Sequence, residues 1–119
     1  MNRLIAFLIL GLVAGCASAV DSPAKAVFQL RSGYVAVLTV AEGYEGLPRC
    51  PETVEKLCSD PDVVDVIRKA DLTAKDALDA AELTVRSHPE VNAEFAIAAA
   101  ENAVDAMRSI LATYKIGSN

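Results

Sequence analysis

Tryptophan is absent from the chain, and histidine occurs once, at His88. The first absence removes the largest of the aromatic side chains that anchor binding hot spots. The second leaves little for metal or acid–base chemistry. Beyond residue 16 the soft ligands are Cys50, Cys58 and His88, too few for a four-ligand zinc site. His88 stands beside Pro89 and Glu90 at an expected interhelical turn, and is read as a turn or surface side chain rather than a ligand or base. No GxSxG, HExxH or glycine-rich phosphate loop occurs. Asp60, Asp62 and Asp65 lack the central glycine and ordered oxygen spacing of an EF-hand loop. Basic charge is also short, with 11 Lys and Arg against 16 Asp and Glu. That balance argues against nucleic acid as a partner, because phosphate binding needs cations to displace counterions. It argues equally against a polybasic membrane patch. The expectation is a non-enzymatic protein with no cofactor, no metal and no catalytic residue.

Long apolar runs are missing too. The uncharged stretch Leu4 to Ala14 has the length of a signal-peptide apolar region and falls short of the roughly 20 residues that cross a bilayer. It follows a short positive segment, Met1 and Arg3, and so has the form of an export signal. Small residues at 14 and 15 suit entry of extended backbone into a peptidase cleft, and a thiol follows them. The segment Val13-Ala14-Gly15-Cys16 resembles the lipobox of bacterial lipoproteins. The resemblance implies a diacylglyceryl group on Cys16, cleavage between Gly15 and Cys16, and in many bacteria a further acyl chain, such as palmitate, on the new amino group. One acyl chain anchors only reversibly, whereas two or three hold firmly. The implied address is the cell envelope, with the membrane as partner through the lipid. Ala17 stands where aspartate favours inner-membrane retention in enteric bacteria. In a host with two membranes this points to the periplasmic face of the outer membrane. Ala17-Ser18-Ala19 also fits ordinary signal cleavage after Ala19, which would release an unlipidated protein, and an uncleaved anchor is the third alternative. The resemblance covers residues 1–16 and gives an address, not an activity.

Cleavage before Cys16 leaves 104 residues, one domain with a modest core. It removes Arg3 and no acidic residue, which moves the formal net charge from −5 to −6. Cys50 and Cys58 remain, in CPETVEKLC. In an oxidising compartment they are expected to form a structural disulfide. Their spacing is not CxxC, so thiol redox work is disfavoured.

Residues 16–21 read as a lipidated tether, 22–116 as a helical domain, and 117–119 as a disordered tail. The expected helices cover about 23–43, 60–86 and 89–114. Ser22-Pro23 opens the first, with Ser as N-cap and Pro in the first turn. Val27, Leu30, Tyr34, Val37, Leu38 and Ala41 then recur at helical spacing. The β-branched run Tyr34–Val40 has strand character, but no second strand-like run exists to pair with it, and helix is chosen. Gly43, Gly46 and Pro48 mark the stop. A short helical piece, Glu52 to Leu57, is expected between the cysteines. Ser59 with Asp62 reads as a capping box for the second helix, whose stripe runs Val63, Ile67, Ala70, Ala74, Leu78, Ala81 and Val85. Asp71 and Lys75 offer an exposed pair four residues apart. Ser87 with Glu90 reads as a capping box for the third helix. Its two apolar rows are Phe95, Ala99, Ala103, Ala106, Ile110 and Ile97, Ala100, Val104, Met107, Leu111. Three such helices on short connections predict an all-α, up-down-up bundle whose first connection is stapled by the disulfide.

For function, the leading expectation is a membrane-tethered helical envelope protein with a structural or protein-interaction role, through an envelope partner or self-association. The candidate interaction surface is Tyr44, Leu47 and Arg49 beside the disulfide. The bland alternative is that Tyr44 and Leu47 cap the end of the core. A small-ligand-binding lipoprotein is the second hypothesis, and a hydrolase or other envelope enzyme the third.

Overall fold

The computed structural model describes residues 22–51, 57–88 and 93–117. Cys16 and residues 52–56 and 89–92 lie outside them, as do 118–119. The described chain is a three-helix bundle: α1 (Pro23–Glu45), α2 (Pro61–Ser87) and α3 (Glu94–Thr113). Among the described residues the one β feature is an isolated parallel bridge between Arg49 and Ser59.

Each helix buries the stripe its sequence carries. Val27, Tyr34, Val37 and Ala41 face inward from α1, Ile67, Ala74, Leu78 and Ala81 from α2, and Ala100, Val104, Met107 and Leu111 from α3. The β-branched run of α1 is helical throughout, because burying Tyr34, Val37 and Ala41 together outweighs the small propensity cost of Val and Thr. On α3, the row beginning at Phe95 is a flank: Phe95 is 87% exposed, and the neighbouring row supplies the core. Alanines at four of the most buried positions let the helices approach closely, so the larger Ile67, Leu78, Met107 and Val104 fill the axis.

Antiparallel packing of α1 on α2 is visible in the ties between them. Arg31, early in α1, forks to Asp79 and Glu82, late in α2, at 2.8 and 2.7 Å. Glu45, at the end of α1, accepts from Arg68 near the start of α2 at 3.1 Å. Between them the Tyr34 hydroxyl donates to Asp71 at 2.6 Å. Asp71 is therefore turned toward α1, and the expected Asp71–Lys75 pair gives way to a 3.9 Å approach of Lys75 to Asp79. α3 runs parallel to α1, with Arg108 reaching over Gly33 and the C-terminal turn lying against Val40.

Helix ends differ from the sequence reading in three places. The N-cap of α2 is Asp60, whose carboxylate accepts the N–H of Asp62 at 2.9 Å, not Ser59. Ser59 is buried and its hydroxyl donates to the Leu47 carbonyl at 3.0 Å. Ser87, expected to cap the third helix, is the last residue of α2, and α3 begins at Glu94 after Ala93, which makes no side-chain cap. At the C-terminus of α3 the left-handed residue is Lys115 (φ 55). The Ile116 N–H bonds the Leu111 carbonyl at 2.8 Å and the Lys115 N–H bonds that of Ala112 at 3.1 Å. This is the Schellman arrangement, usually built on glycine. Gly117, assigned to the tail by sequence, instead packs so close to Val40 that a Cβ there would lie 2.5 Å from Cγ1.

Candidate interaction surface at the stapled end

The connection from α1 to α2 is closed twice. Ser59 N–H donates to the Pro48 carbonyl at 2.8 Å, and Cys50 N–H to the Ser59 carbonyl at 3.0 Å. Just beyond this hydrogen-bonded neck Cys50 and Cys58 form the expected disulfide, with Cα atoms 4.7 Å apart. A loop of this size stabilises by about 2–3 kcal/mol in the chain-entropy model. The neck also explains why Ser59 is unavailable as a cap, since its hydroxyl and both backbone groups are committed to the partner segment.

Tyr44, in the last turn of α1, reaches across to this neck. Its hydroxyl accepts the backbone N–H of Asp60 at 2.8 Å, which fixes the residue that caps α2. Its ring is half-buried against the core cluster. Leu47 is half-buried beside it, and Arg49 is exposed. The three residues singled out from sequence are divided between two neighbouring hollows. Leu47 stands between two hollows, with Tyr44 in one and Arg49 in the other. The Arg49 hollow, about 290 Å³, is polar and bordered by the Glu45–Arg68 ion pair. The Tyr44 hollow, about 490 Å³, is completed by Val40, Leu57, Tyr114 and Ile116. Leu57 is 76% exposed and Tyr114 46%, so its rim is apolar and accessible. Sequence reasoning missed Leu57 and Tyr114. The up-down-up topology held the signal for Tyr114, since the ends of the first and third helices must meet at one end of the bundle.

A groove of about 260 Å³ lies at the other end of the α1–α2 seam, between Val27, Phe28 and Arg31 on one side and Glu82, Val85 and Arg86 on the other. Its charges are mutually engaged: Glu82 takes Arg31 and, one turn away, Arg86. Hydrogen bonding from Arg31, then the charge of Arg86, holds the Glu82 carboxyl below its ordinary range, and the bond to Glu82 raises Arg31 in turn. His88 is exposed and forms the C-cap of α2, its N–H bonded to the Thr84 carbonyl at 3.0 Å. Among the described residues, no group of three or more His, Cys, Asp or Glu is placed to hold a metal ion. None of the described helices is long and apolar enough to cross a membrane. No family model, no curated protein and no solved structure matches the chain.

Proposed function

We propose that the chain is a lipid-anchored protein of the bacterial envelope, tethered through Cys16, whose helical domain presents its stapled end to a protein partner. The role is non-enzymatic. The observation that carries it is the position of the apolar hollow. Tyr44, Leu57 and Tyr114 border it, at the end of the bundle opposite the one where the chain emerges from residues 16–22. A partner docking there would meet aromatic and aliphatic side chains on a covalently stiffened rim, which loses little entropy on binding. The lipobox-like Val13–Cys16 segment supports the anchor, and the Cys50–Cys58 disulfide fits an oxidising compartment.

The test is crosslinking in intact host cells, followed by purification through a C-terminal tag and mass spectrometry. The expected result is a diacylated peptide beginning at Cys16 and one dominant envelope partner. That partner should be lost in Leu57→Ser and Tyr114→Ser, whose side chains are exposed and whose replacement leaves the core intact. A peptide beginning at Val20 without lipid would overturn the anchor. A partner retained by both variants would overturn the docking site.

A further inference from the structure

The domain's two phenylalanines are both on its surface. Phe28 is 71% exposed and Phe95 is 87% exposed. Among the described residues the core takes the ring of Tyr34 and is otherwise filled by aliphatic side chains and Met107. Both lie at the same end of the bundle. Phe28 is in the second turn of α1 and Phe95 in the first turn of α3, and those two helices run parallel. They point to different sides. Phe28 borders the α1–α2 groove. Phe95 is nine residues, two and a half turns, from the buried Val104, and so faces directly away from the core.

This is also the end that the anchor controls. Seven residues, Cys16 to Ser22, separate the lipidated thiol from the first turn of α1, and fully extended they span at most about 25 Å. Resting on the anchoring reading above, we infer that Phe28 and Phe95 form a collar that seats the tethered end of the bundle in the interfacial layer of the membrane carrying the lipid. A flat protein face would cover one ring and leave the other in water, because the rings are on different flanks. A soft interface admits apolar side chains from either flank, to a depth of about 5–10 Å. Charge is not the attraction here, since Arg86 beside Phe28 is already paired with Glu82. The tether makes the contact intramolecular, so weak insertion suffices. Seated this way, α2, at 27 residues about 40 Å long, holds the stapled end away from the bilayer.

The chain has no tryptophan, so single replacements report cleanly. Phe28→Trp, Phe95→Trp and Leu57→Trp are expressed as the full chain in a lipoprotein-processing bacterium. Each purified protein is reconstituted into phospholipid vesicles with bromine on the acyl chains. The expected result is blue-shifted emission, quenched more than twofold, at positions 28 and 95, with unquenched emission at 57. Protein that carries no lipid and fails to float with the vesicles overturns the anchor, and the collar with it. Lipidated, floating protein whose emission at 28 and 95 is as unquenched as at 57 overturns the collar alone. A blue shift without quenching means that protein rather than lipid covers the rings, and quenching at all three positions means that the bundle lies flat. Either result also overturns the collar.

Discussion

Replacing Tyr34 with phenylalanine removes one hydroxyl and leaves the ring in the core. That hydroxyl donates to Asp71 at 2.6 Å across the α1–α2 seam, from a residue that is 6% exposed. Hydrogen bonds to charged groups contribute about 1.5–3 kcal/mol. Asp71 is only half-buried and water can replace the lost donor, so the expected loss is near the low end, about 1–2 kcal/mol. For a domain of this size that lowers Tm by roughly 5–10 °C. The pH dependence is the sharper test. Burial first, and then the bond to Asp71, push the Tyr34 pKa from 10.0 up to about 12. The folded value lies above the unfolded one. The contribution of the bond is therefore complete below about pH 10 and is lost as pH rises through about 12. Across that window the native protein loses stability relative to Tyr34→Phe at about 1.4 kcal/mol per pH unit. Its advantage at neutral pH should vanish and then reverse. Urea titrations of both proteins, followed by circular dichroism with the disulfide intact, give the difference at each pH. Taking the difference isolates the contribution of the Tyr34 hydroxyl. A gap that does not change between neutral and strongly alkaline pH would refute the reasoning, as would a Tyr34→Phe variant as stable as the native chain at neutrality.

Three further outcomes follow from the ends of the helices. Joint replacement of Cys50 and Cys58 by serine should lower unfolding free energy by about 2–3 kcal/mol while far-ultraviolet dichroism stays helical, because the Pro48–Ser59–Cys50 hydrogen bonds survive. Asp60→Ala should cost about 1 kcal/mol in denaturant titration, since the carboxylate that accepts the Asp62 N–H is the cap of α2. Lys115→Gly should raise stability by about 0.5–1 kcal/mol, because it relieves a side chain held at φ 55 in the Schellman turn. A thermal scan showing no gain would mean that this turn does not persist in solution.

The bundle was legible because its core is periodic. Seven positions of the second stripe, Val63 through Val85, recur at helical spacing over more than six turns, and four of them end up fully buried. The disulfide was legible from two cysteines, their separation and the expectation of an oxidising compartment. The caps were not. Ser59 and Asp60 are both good N-cap residues by type, and the choice between them was made by Leu47, twelve residues earlier, whose carbonyl takes the serine hydroxyl. Phe95 was assigned inward on spacing alone. Two adjacent apolar rows on α3 compete for one core, and the row carrying Val104 and Met107 fills the axis.

By itself the sequence determined the three helices of the bundle, the buried stripes of the first two and the staple, all properties of residues near one another along the chain. Tertiary structure alone decided which polar groups meet. Arg31 with Asp79 and Glu82, Tyr34 with Asp71, and Tyr44 with the Asp60 N–H are separated by 48, 51, 37 and 16 residues. It also decided that Leu57 and Tyr114 would share a hollow with Tyr44, and that Phe28 and Phe95 would share the opposite end. Periodicity fixes which side of a helix is buried. It carries no information on the axial register of one helix against another, and that register sets every one of these encounters.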